Sequence, residues 1–155
     1  MLENVFQYRT LIGKCELGVG LEWDEIELVS TLESRFEPAP HDKQKHAGRK
    51  FRREAVRMVG VMRGDRIHDR IDIVELGLGG MVVRNAPYIA RNELIELVID
   101  IGEMSYRFRA KGVWLKDDGD DYKVGLAFVG MPVCLHKVAV SAHHADVVDQ
   151  IAAAA

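Results

Sequence analysis

With 155 residues, 48% of them hydrophobic and 29% charged, and a formal net charge of −3, the chain has the make-up of a single soluble globular domain. That balance excludes collagen-like or disordered character, and an acidic chain lacks the broad basic face that a nucleic-acid polymer requires. No stretch approaches the roughly 20 apolar residues that cross a bilayer, so no membrane insertion is expected.

The N-terminus MLENVFQYRT lacks the basic-then-apolar layout of a secretory signal, and a cytoplasmic location is the expectation. Residues 5–21 (VFQYRTLIGKCELGVGL) are rich in strand formers but broken by Gly13, Gly18 and Gly20, which predicts strand and turn. From Asp24 the pattern changes. Ile26, Val29, Leu32 or Glu33, and Phe36 recur at helical spacing behind Asp24 as a cap, predicting one amphipathic helix that ends near Pro38. The stretch EPAPHDKQKHAGRK follows, and its prolines, charge and missing apolar period predict a solvated linker.

After Arg53 come six short apolar or alternating runs, AVRMVGVM, DIVEL, GMVVRN, ELIELVIDI, YRFRAKGVWLK and YKVGLAFVG, each closed by turn residues. In the fifth, Tyr106, Phe108 and Ala110 alternate with Ser105, Arg107, Arg109 and Lys111, which puts three cations on the wet face. Asp117 to Asp121, centred on Gly119, predicts a hairpin turn. ELIELVIDI has helix propensity, yet its neighbours favour a strand. Six evenly spaced strands predict a small antiparallel barrel, because closing the sheet removes its exposed edges. The run from Ser141 to Ala155 is rich in helix formers and predicts a terminal helix.

Two features carry chemistry. From His41 to Arg57 there are seven Lys or Arg (Lys43, Lys45, Arg49, Lys50, Arg52, Arg53, Arg57) against Asp42 and Glu54, a local net of +5 where all the rest carries −8. Arg49 and Arg53 stand four apart at the entrance to the first strand. Two guanidinium forks so placed can clamp phosphates bidentately or lie on a purine ring, although a basic run equally serves to keep a linker in water. The second feature is ELGLGGMVV, residues 75–83, whose three glycines permit close approach of backbone or ligand, or simply make a turn. It lacks GxGxxG spacing and a P-loop lysine, which excludes nucleotide-triphosphate binding.

In this order and at this separation the two features resemble the PilZ domain, a family of receptors for the bacterial second messenger cyclic di-GMP. Its RxxxR motif is matched by Arg49-Lys50-Phe51-Arg52-Arg53, and its (D/N)xSxxG motif by Glu75-Leu76-Gly77-Leu78-Gly79-Gly80. The stretch from Gly112 to Met131 is similar to the family's last hairpin, and the resemblance spans about residues 48–131. An alternative register of the second motif, Asp72 to Gly77, restores the acid but puts Val74 at the serine position. The first register leaves the apolar GMVV run after the last glycine, as a strand requires.

The resemblance implies a mainly β, six-stranded antiparallel PilZ-like barrel over 48–135. It would stand behind an N-terminal extension with an amphipathic helix (1–40) and a basic arm (41–57), with a C-terminal helix over 136–155. It implies a ligand, cyclic di-GMP, and no other cofactor. Arg49 and Arg53 would meet phosphates and guanine, Lys50, Arg52 and Arg57 would add attraction, Glu75 would take a guanine edge, and Gly77 and Gly80 would form the floor. Two departures stand out: Glu75 is longer than the family's acid or amide, and Gly77 lacks a serine hydroxyl worth about 0.5 to 1.5 kcal/mol. Two functions follow as expectations: a single-domain receptor that relays cyclic di-GMP to a partner protein, or a degenerate adaptor that binds no nucleotide and acts through protein contacts.

Other readings fall away on spacing. Asp117 to Asp121 is too short for a calcium loop, and adjacent His143 and His144 point about 100° apart on a helix, so no metal site is expected. Cys15 and Cys134 show no CxxC spacing and predict two reduced core residues. Trp114, on an alternating strand, predicts a core position, although the resemblance puts the equivalent strand near the ligand face. No nucleophile elbow, paired catalytic carboxylates or cofactor fingerprint is present, so no enzyme is expected.

Overall fold

The computed structural model describes residues 1–40 and 48–137. Two helices, α1 (Leu2–Glu16) and α2 (Trp23–Arg35), precede six strands: β1 (Glu54–Arg63), β2 (His68–Gly77), β3 (Gly80–Ala86), β4 (Leu94–Ile101), β5 (Met104–Asp118) and β6 (Asp121–His136). All neighbours pair antiparallel, and the sheet closes in the order β1-β2-β3-β6-β5-β4. Each of the six expected strands is present. The segment of ambiguous propensity is a strand because Ile95, Leu97 and Ile99 alternate into the barrel, where all three are buried. The closing seam is short, joining only Val61, Met62 and Arg63 of β1 to Val98, Leu97 and Glu96 of β4. Among the described residues no helix is long and apolar enough to cross a membrane.

The N-terminal expectation is overturned: residues 2–16 form a helix, not strand and turn. Leu2, Val5, Tyr8 and Arg9 recur at helical spacing and are buried, and that tertiary packing outweighs the strand propensity of Val5, Phe6, Tyr8 and Thr10. Gly13 does not break the helix. A Cβ there would lie 2.8 Å from the Cβ of Met131, so the glycine lets α1 nest on β6. Gly18 and Gly20, at φ of 77° and 79°, make the turn into α2. Arg9, 7% exposed, donates from Nη2 to the Gly130 carbonyl at 2.8 Å, so the buried cation has an acceptor on the barrel.

The helix expected from Asp24 is present, with its cap two residues earlier. Glu22 caps α2, and the Glu25 carboxylate accepts from the Glu22 N–H at 3.0 Å in a capping box. The buried stripe runs through Val29, Leu32 and Phe36, while Ile26 is 46% exposed. The cysteines are both free, but Cys15 is exposed on α1 and Cys134 half-buried on β6, so neither is a core residue. The middle of the expected linker, residues 41–47, and nearly all of the expected C-terminal helix lie outside the described residues. β6 runs on to His136, inside the range expected for that helix.

The hairpin between β2 and β3 sets the floor of the candidate site. Gly77 pairs with Gly80 around a Leu78-Gly79 turn whose leucine is fully buried. Gly80 comes so close to β6 that a Cβ would lie 2.0 Å from the Leu126 carbonyl oxygen, whereas one at Gly79 would meet open space. Gly80→Ala is therefore expected to cost about 1 to 3 kcal/mol of unfolding free energy, and Gly79→Ala less than about 0.5 kcal/mol. Urea denaturation of the two variants checks this.

Candidate functional site at the root of the basic arm

The arm comes down onto the barrel at Gly77. A Cβ at that position would lie 3.0 Å from both the Arg52 carbonyl oxygen and the Arg53 Cγ, so the missing side chain is what admits the arm's root. Arg53 is half-buried there, and its Nη1 has no hydrogen-bond partner among the described residues. Burial, and then the neighbouring Arg49 guanidinium, push the Arg53 pKa down, while the Glu75 carboxylate opposes both. Arg49, Arg53, Glu75 and Gly77 are thus brought together. It is Glu75 that bears on Arg53. Asp72, the acid of the alternative register, accepts instead from the Asn85 side chain and faces Arg84.

Lys50 is turned the other way. Its Nζ lies 3.1 Å from Glu33 Oε1 on α2 and 4.9 Å over the Phe51 ring, and the Tyr8 hydroxyl donates to the same Glu33 oxygen at 2.9 Å. Phe51 packs edge-on against Tyr8 at 5.6 Å, and the Arg52 N–H donates to the Phe36 carbonyl at 2.8 Å. Arg52 itself pairs with Glu54 at 3.2 Å. Residues 50–53 are therefore gripped from two sides, by the barrel at Gly77 and by the helix pair through Tyr8, Glu33 and Phe36. The helix contacts escape sequence reasoning because they need α1, which the strand-rich spelling of residues 5–12 conceals.

The sheet beyond Glu75 is continuous. Ala55, Glu75, Val82, Gly125 and Trp114 stand in one cross-strand row over β1, β2, β3, β6 and β5. Glu75 and Trp114 are three strand spacings apart, about 14 Å. Trp114 is not a core residue: it is 38% exposed on the outer face and lies on Gly125, where any Cβ would collide with its indole at 2.1 Å. A register shift between Gly112 and Trp114 displaces it from the alternation that buries Phe108 and Ala110. The surface so built has two guanidinium groups and a carboxylate at one end and an aromatic face at the other.

No family model and no curated protein sequence matches the chain. Among solved structures it is similar to the PlzA protein of Borreliella burgdorferi, crystallised in complex with c-di-GMP. The TM-score is 0.42 at 14% identity, and the match covers 71% of this chain and 43% of that one.

The grip on the arm is electrostatic at Glu33. Burial pushes its carboxyl up, but donation from Tyr8 and Lys50 outweighs burial and holds it below the usual 4.5. A carboxyl so held contributes stability that is present above its unfolded pKa and lost as the pH falls through the folded value. Glu33→Gln is expected to cost about 0.2 to 1 kcal/mol near neutrality, because the pair is partly exposed. The gap to the unmutated chain closes as the pH is lowered through the carboxylate range in thermal melts. At neutral pH the variant is cut faster by trypsin within residues 49–53.

Proposed function

We propose that the chain is a receptor for cyclic di-GMP in which Arg49 and Arg53 take the phosphates and Glu75 takes a guanine edge. The PilZ resemblance of the two motifs supports the reading, and one observation carries it: a half-buried guanidinium at Arg53, short of an acceptor, beside a second arginine and over the outside of a sheet. Like-charged guanidinium groups held close on a protein surface favour a polyvalent anion, and a doubly phosphorylated ligand supplies one. The Glu75 carboxylate can accept from a guanine N1–H and amino group. Gly77 admits the arm's root and Gly80 the close approach of β6, so both shape the wall under the arm, and Trp114 offers a stacking face farther along the row. Lys50 and Arg57 add long-range attraction. The ordered arm is then the signal, read by a partner protein through the helices that grip it.

A second reading, an adaptor that binds no nucleotide, is favoured by the contact at Gly77. Arg52 and Arg53 of the arm's root fill the space over Gly77, and the serine hydroxyl of the family motif is missing. Calorimetric titration of the chain with cyclic di-GMP separates the two. The receptor reading expects saturable binding that Arg53→Ala weakens at least tenfold, the loss of about 1.5 to 3 kcal/mol that goes with a charge-assisted hydrogen bond. No heat from the unmutated chain at high micromolar ligand rejects the receptor and leaves the adaptor.

A further inference from the structure

Away from the arm, the surface carries a knob and a hollow of opposite character. The knob opens α2. Trp23 is 86% exposed, the most exposed large apolar side chain among the described residues, with Ile26 46% exposed one turn on. It is not a frayed end. The Glu22–Glu25 capping box and the 2.5 Å pair between Lys14 and Glu25 hold the first turn of α2 rigid. From Glu22 to Arg35 there are five acids against one base. Glu25 and Glu33 are engaged by lysines, which leaves the exposed Asp24 and Glu27 flanking the indole.

The hollow lies where β6 bulges from β5. Arg107 pairs with Val133 and Arg109 with Val129, so Gly130, Met131 and Pro132 stand opposite Phe108 alone, and Gly130 takes a φ of 67°. The space left, about 360 Å³, is lined by the apolar Met131, Val133 and Leu135, by Arg107 and Arg109, and by Glu96 as its one carboxylate, with the Phe108 ring turned away into the barrel core. Met131 and Val133 are 37% and 49% exposed, and the Arg107 Nε is a buried donor without a partner among the described residues. The hollow therefore offers apolar walls and two cations to an apolar group that brings its own carboxylates.

We propose that this chain self-associates, with Trp23 of one copy seated in the Arg107–Arg109 hollow of another. The occupant is a second copy because both halves of the complementary pair are on this surface, and an indole left 86% exposed is not in its own chain's hollow. The spacings agree. Asp24 and Glu27 lie one helical turn apart, about 5 to 6 Å between Cβ atoms, and Arg107 and Arg109 lie two residues apart on a strand, about 7 Å. Each arginine can pair with a carboxylate while the other face of its guanidinium packs on the indole. Buried Trp and Arg anchors of this kind dominate interface energetics. The contact joins unlike surfaces, so it closes into a ring or pair only if the rotation between copies permits.

The test needs no nucleotide and is independent of the receptor reading. Sedimentation velocity of the unmutated chain over a wide range of concentrations should give a mass above that of the monomer, falling with added salt. Trp23→Ala and Arg109→Glu should each weaken association at least tenfold, with unchanged circular dichroism. Glu27→Arg combined with Arg109→Glu in one chain should restore it, because the charges are exchanged and the pair kept. A monomer at every concentration, association indifferent to either single substitution, or no recovery in the exchanged variant would overturn the proposal.

Discussion

Position 77 has no side chain, and the arrangement of the candidate site depends on that vacancy. Because only hydrogen stands there, the chain at Arg52 and Arg53 can lie within van der Waals contact of the sheet, and Arg53 is half-buried with its Nη1 short of an acceptor among the described residues. A longer residue would lift the arm's root by a few tenths of an ångström. That small change matters, because the same four residues are held on their far side by Phe36, Tyr8 and Glu33.

The arm is thus a bridge between two bodies. One is the barrel, whose interior is filled by alternating aliphatic side chains and is slow to deform. The other is the helix pair, fastened to β6 by Arg9 and by the close approach of Gly13 to Met131. Any anion that draws Arg49 and Arg53 toward the sheet works against, or together with, the Lys50–Glu33 pair and the Phe51–Tyr8 contact. On the proposed receptor reading such coupling is reciprocal: a partner that moves α2 would change the arm's affinity for the ligand by the factor by which the ligand changes the partner's affinity.

The barrel was legible because its signals are local. Alternation at Phe108 and Ala110, the glycine turn at Gly77 to Gly80 and the acidic turn at Gly119 each act within a few residues, and each appears where the pattern puts it. The cluster of Arg49, Arg53, Glu75 and Gly77 was legible too, since it needs only β1 to lie beside β2. What was hidden depends on contacts distant in sequence. α1 is a helix because β6 offers it a face, Lys50 leaves the other cations because Glu33 is near, and Trp114 leaves the core because a bulge shifts its register. None of these has a spacing rule of its own.

The seam between β1 and β4, with its three paired positions, gives the barrel an uneven circumference. A closed cylinder opens where its lacing is thinnest, and here that is a few rungs near the end of β1 remote from the arm. Transient parting there would uncover the ladder edges of Val61 and Val98 while β2, β3 and β6 stay laced beneath Gly77. The thinly laced rungs and the arm thus lie at opposite ends of one strand, and the wall that faces the arm is the more fully laced of the two.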